Sequence, residues 1–143
     1  MKLTPLPQTE KPLVLRTDFS NQTAWEAIRI ELQKPVGIFL FRANIEILDE
    51  VEHSGITKEQ MLNLLPSNYN HNFIVIVDQI TMTHPEHPLL IVDLYENPGQ
   101  EFRTIPSAVQ SIENNLSIAN MDFEEFAENV DEDGIFRGFS RGA

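Results

Sequence analysis

Phe73-Ile74-Val75-Ile76-Val77 is a continuous, mostly β-branched run with no polar residue to mark a wet face. A half-exposed strand alternates, so an unbroken run points to a strand covered on both sides, as in parallel α/β sheets. Working outward, residues 88–94 (PLLIVDL) read as a second strand of the same kind. Asn97-Pro98-Gly99 is a turn, and residues 102–105 return from it as a hairpin partner. Upstream, Thr57 to Gln60 has the spacing of a capping box. Ile56 and Met61 stand where a hydrophobic staple would, so a short helix is expected there, ending at Pro66.

Residues 12–17 (PLVLRT) read as the first strand. Ser20-Asn21 then offers an N-cap, and Ala24, Trp25, Ile28 and Leu32 recur at helical spacing until Pro35. Residues 38–41 are open between a strand and a buried connection, whereas residues 43–48 (ANIEIL) alternate as a strand. Beyond the hairpin, Pro106 suits a first helical turn, and Val109, Ile112 and Leu116 form a stripe. Asp122 with Glu125 makes another capping box, with Met121 and Phe126 as its staple. Ile135, Phe136 and Phe139 are expected to fold back onto the core. The first three strands alternate with helices, which implies parallel crossovers. The expected fold is α/β, or α+β: a mixed, mostly parallel sheet with a C-terminal antiparallel hairpin and helices packed on it. Residues 1–11 read as a loose arm, and residues 12–143 as a single domain.

Ten basic against 22 acidic residues leave a net charge of −12. Such a surface repels nucleic acid and anionic membranes and attracts basic proteins. With no cysteine, disulfides, thiolate metal sites and cysteine nucleophiles are excluded. The N-terminal residues lack the apolar core of a secretion signal, and the longest apolar stretch, residues 36–41, is too short for a bilayer. A cytoplasmic location is the expectation. Walker and Rossmann fingerprints, a nucleophile elbow and an S-x-x-K pair are all missing from the sequence. No cofactor is expected.

Four constellations are candidates for chemistry. Asp18, Asp49 and Asp78 each follow a strand, at the edge where α/β sheets bind ligands, and hard cations such as Mg²⁺ take oxygen donors. The plainer reading is that each aspartate turns or caps the chain leaving its strand. His84 and His87, with Glu86 between them, offer Zn²⁺ ligands or a general base. The intervening prolines disfavour a helix that would put both histidines on one face. Asn129, Asp131, Asp133 and Gly134 resemble the front half of a calcium loop, but its twelfth position is Ser140 where a bidentate glutamate is needed. Last, eight acids between Glu113 and Asp133 run without an intervening Lys or Arg, interleaved with Met121, Phe123 and Phe126. Glu124, Glu125, Glu128 and Asp131 are the expected contacts for a basic partner, with aromatics as anchors and charge as the steering force.

Residues 15–20 (LRTDFS), 84–94 (HPEHPLLIVDL) and 113–126 (ENNLSIANMDFEEF) resemble a family of uncharacterised bacterial proteins classified as a domain of unknown function. The resemblance runs over residues 12–139. It implies a bacterial cytosolic setting and one domain, and transfers no catalytic residue. The expected function is an acidic protein-binding module, of inhibitor or immunity type toward a basic protein. The alternative is an enzyme that binds a metal or phosphate ligand through the strand-end carboxylates. Self-association is compatible with either.

Overall fold

The computed structural model describes residues 3–37 and 40–139. A six-stranded sheet runs in the order β2-β1-β3-β4-β5-β6. The strands are β1 (Leu13–Arg16), β2 (Glu46–Leu48), β3 (Phe73–Val77), β4 (Leu89–Asp93), β5 (Glu101–Thr104) and β6 (Ile135–Phe136). β1 lies parallel to both β2 and β3, β4 is antiparallel to β3 and β5, and β6 is parallel to β5. The mixed sheet with an antiparallel hairpin is therefore as the sequence implies. All five residues of both β3 and β4 are buried, as two-sided strands require.

The helices divide between the two faces. α1 (Gln22–Gln33), α3 (Gln79–Thr83), α4 (Val109–Ser117) and α5 (Phe123–Ala127) pack with Val14, Val75, Ile91 and Phe102 on one face. α2 (Lys58–Leu64) covers Leu13, Leu15, Ile74 and Val92 on the other through Met61. Local chemistry sets the helix starts. Asn21 caps α1 by accepting from the Ala24 N–H at 3.0 Å, and Thr57 with Gln60 forms the expected capping box on α2. Phe102, Phe126, Phe136 and Phe139 form an aromatic cluster, with the Phe126 ring 5.3 Å from Phe136 and 5.4 Å from Phe139. Ile135 and Phe136 do return to the core, as the sixth strand.

Three expectations change. Residues 3–11 carry no secondary structure, yet the arm is not loose. Leu6 is buried, its N–H donates to the Leu64 carbonyl at 2.9 Å, and the Gln8 amide donates to the Asn68 carbonyl at 2.9 Å. Burial of Leu6 and these two hydrogen bonds, one from the main chain and one from the Gln8 side chain, offset the entropy that would otherwise free it. The strand expected at residues 43–48 shrinks to three residues at the sheet edge. A helix, α3, appears where only a connection was read, because Asp78 and Thr81 make a capping box directly after β3. Of residues 38–41, Ile38 and Phe39 lie outside the described residues, while Val36 and Phe41 form an isolated antiparallel bridge. Among the described residues no helix is long and apolar enough to cross a membrane.

Candidate functional site

The carboxyl ends of β1, β2, β3, β5 and β6 share one edge of the sheet. The chain leaves β1 toward α1 on one face and β2 toward α2 on the other. Adjacent strands whose connections depart to opposite faces open a crevice between them, the usual ligand position in such sheets. Here Arg16, the last residue of β1, fills it. Its guanidinium donates to Asp49 Oδ1 at 3.1 Å, to Gln22 Oε1 at 3.2 Å and to the Asp18 carbonyl at 2.9 Å. It lies over the Phe19 ring at 4.2 Å and the Trp25 ring at 4.8 Å. The Trp25 indole N–H closes the set by donating to Asp49 Oδ2 at 3.1 Å. The Arg16 side chain is only 3% exposed, and its Nη2 is buried without a hydrogen-bond partner among the described residues.

The strand-end aspartates thus do separate work. Asp18 turns the chain by accepting from the N–H and hydroxyl of Ser20. Asp49 pairs with Arg16 and Trp25. Asp78 caps α3 and takes a two-pronged bond from Arg103, at 2.9 and 2.7 Å. Burial raises the Asp78 carboxyl, but the Arg103 guanidinium outweighs it and holds the group below its ordinary value. The structure does not bring the three carboxylates together around a common point. Among the described residues no three His, Asp or Glu side chains converge in a way that could hold a metal ion.

The His84–His87 loop is likewise turned to structural ends. His84 Nδ1 accepts from the Glu86 N–H at 3.0 Å. His87, in the left-handed region at φ +50°, sets its Nδ1 2.9 Å from the Thr81 carbonyl. A carbonyl only accepts, so His87 Nδ1 carries a proton, and in the neutral ring Nε2 is a lone-pair acceptor.

Arg137, which sequence reasoning passed over, is the cation that the acidic turn at 129–134 serves. It reaches Glu86 at 2.7 and 2.9 Å, Asp131 at 2.7 Å and Asp133 at 2.7 and 3.1 Å. Hydrogen bonds from Arg137 hold the Glu86 and Asp133 carboxyls below their ordinary values, and the same bonds raise Arg137 further. Asp131, expected on a partner face, is thereby committed within the chain. Asn129 donates its amide to the Glu125 carbonyl at 2.7 Å, and Ser140 lies outside the described residues.

The acidic face itself lies at the opposite edge, where β4 ends. Glu128 is exposed and Glu124 half-buried, and neither has an ion-pair partner among the described residues. Glu125 is exposed, with its Oε1 accepting from the Asp122 N–H at 3.2 Å. Glu113 is withdrawn from the face: it is buried and accepts from the Asn44 N–H and the Ser117 hydroxyl, both at 2.8 Å. Two residues join the set unforeseen. Tyr95 and Glu96 border a small cleft of about 40 Å³ with Met121 and Asp122. Asp122, with Asp93 and Glu124 beyond it, crowds Glu96 and pushes its carboxyl above the ordinary value. Tyr95 is 70% exposed, and Ile118, beside the cleft residue Ala119, is 64% exposed.

Fold and site together define a mixed α/β protein whose parallel-strand crevice is closed by its own arginine and whose other edge carries carboxylates with no ion-pair partner among the described residues. The chain belongs to the family described as Domain of unknown function (DUF6924), whose sequence model matches residues 11–139. None of the curated proteins matches it.

Proposed function

We propose that the protein is a docking module for a basic protein, of inhibitor or immunity type, which it engages through the edge formed by Tyr95, Glu96, Ile118, Asp122, Glu124 and Glu128. One observation carries this reading: an exposed aromatic and an exposed aliphatic side chain stand among carboxylates that have no cation paired to them among the described residues. Interfaces take most of their affinity from a few aromatic anchors, while complementary charge steers encounter and selects the partner. The crowding that raises Glu96 supports the same view, because a partner's lysine or arginine would relieve it. Glu125 adds charge at the rim. The alternative, chemistry on a metal or phosphate, has less support, since Asp49 and Asp78 already neutralise Arg16 and Arg103.

The test is capture of basic proteins by the tagged chain at low and high salt, beside a Y95S/E96Q/E124Q variant. All three side chains are exposed or half-buried, so the variant should melt at or above the wild-type temperature. Docking through this edge requires that wild type retain a basic protein at low salt and release it at high salt, and that the variant retain much less. Equal capture by the two proteins, or capture indifferent to salt, would refute it.

A further inference from the structure

A groove of about 560 Å³ lies at the carboxyl edge, between α1, the His84–His87 loop and the link from β5 to α4. It is far from the acidic docking edge, and its volume is that of a small-molecule site. We propose that it binds an organic ammonium ion, a primary amine on a short hydrocarbon body.

The lining divides into two chemistries. Ala27 and Ile30 of α1, with Pro85, Ile105 and Pro106 opposite, supply an apolar wall. Ile30 is half exposed, with nothing described in the chain to cover it. The polar side chains of the lining are Glu31, Glu86, His87 and Ser107. Two of these are carboxylates, which only accept hydrogen bonds. In its neutral form His87 offers Nε2 as an acceptor too, because Nδ1 donates to the Thr81 carbonyl. The Ser107 hydroxyl has no partner in the described chain and accepts as readily as it donates. No Lys or Arg side chain lines the groove.

A lining of acceptors beside hydrocarbon selects a donor-only head on an apolar body. An ammonium group offers three N–H donors and no lone pair, and a carboxylate or phosphate of the same size would meet like charge. Glu31 already pairs with Lys34, and Glu86 with Arg137 through two bonds, but an ionised carboxylate has about four lone-pair sites and can share a second cation. The main-chain feature that would favour an anion is the first turn of the helical run before α4. It starts at Pro106, which has no N–H to offer. The net charge of −12 adds a long-range attraction for a cation.

The experiment is thermal unfolding and calorimetric titration of the full chain at physiological salt with hexylamine, beside hexanol and hexanoate. Two variants accompany it. A27F fills the groove from the surface of α1, and H87N removes the ring nitrogen while keeping a residue that tolerates a left-handed backbone. E96Q/E124Q tests whether the amine binds the docking edge instead. Hexylamine should raise the melting temperature and titrate to saturation, with hexanol weaker and hexanoate inactive. A27F should abolish the response, H87N should weaken affinity at least fivefold, and E96Q/E124Q should leave it unchanged. No response to hexylamine, an equal response to hexanoate, or a response that survives A27F would overturn the assignment. If A27F alone lowers the melting temperature of the free protein, the loss with H87N decides.

Discussion

Replacing Asp78 by asparagine separates two functions that one carboxylate performs. Asp78 Oδ1 caps α3 by accepting from the Thr81 N–H at 3.2 Å, and both oxygens take bonds from Arg103. Asparagine is as good an N-cap as aspartate, so D78N keeps the cap and removes the charge. Breaking one side of a fully buried pair costs about 3–5 kcal/mol, and an exposed pair is worth about 0–1 kcal/mol. With Arg103 17% and Asp78 26% exposed, the pair falls between these limits. The expected loss for D78N is therefore about 2 kcal/mol, and D78A should lose about 1 kcal/mol more as the cap goes. The assay is urea unfolding of wild type, D78N, R103M and the double variant. The cycle should return a coupling of about 2 kcal/mol. The pH dependence follows from the depressed Asp78 carboxyl. Its contribution is complete above the unfolded value near 4 and disappears as pH falls through the lower folded value. The wild-type advantage over D78N should thus be constant above about pH 5 and shrink below it. A coupling under about 0.5 kcal/mol, or an advantage undiminished at pH 3, would refute the ion pair as the source.

Three further outcomes are expected. His53 is 2% exposed with neither ring nitrogen bonded among the described residues, so H53F removes unpaired polar atoms from the interior and should raise stability by about 1–2 kcal/mol in urea unfolding. A loss of that size instead would show that the imidazole has a partner in solution. R137Q leaves Glu86, Asp131 and Asp133 facing one another, and should lower the melting temperature and speed amide exchange at residues 131–137. The difference from wild type should fade below the ordinary carboxylate range, where the depressed Glu86 and Asp133 carboxyls at last take up protons. E96Q should raise the melting temperature at neutral pH. A carboxyl raised in the folded state costs stability above its unfolded value, so the gain should vanish as acid protonates Glu96.

Hydrophobic patterning made the fold legible, because β3, β4 and the stripes of α1 and α4 are buried through their own side chains. What escaped was held by polar detail. α3 is five residues long, too short for a periodic pattern, and exists because Asp78 and Thr81 cap each other. β6 is two residues that pair only after the acidic turn brings them to β5. Of the strand-end aspartates, Asp18 turns the chain and Asp78 caps α3, while Asp49 does neither and pairs with Arg16. The deciding signal lay in the cations. Arg16 ends a strand whose other residues are all apolar, and Arg103 sits in a short strand beside the buried β4. A charge placed there needs a counter-charge, and each arginine has an aspartate from a neighbouring loop. Glu96 and Tyr95 could not be found by spacing, since the turn after β4 and the start of α5 meet only in the folded chain.

The distribution of charge follows from how the few cations are used. Arg16, Arg29, Lys34, Lys58, Arg103 and Arg137 each hold an acid of the same chain, and none reaches Glu96, Asp122, Glu124 or Glu128. Arg16, Arg103 and Arg137 all act at the carboxyl edge of the parallel strands, where they close the crevice, anchor α3 and tie the last strand to the His84–His87 loop. The carboxylates beside Tyr95 are left without an ion-pair partner among the described residues. Had the acids served solubility alone, they would be expected to disperse and to spare one another. Instead Asp122 crowds Glu96 enough to raise its carboxyl, an electrostatic cost that folding does not require of an exposed side chain. Such a cost is recovered when a cation arrives, which is why that edge, and not the arginine-filled crevice, is where a partner is to be sought.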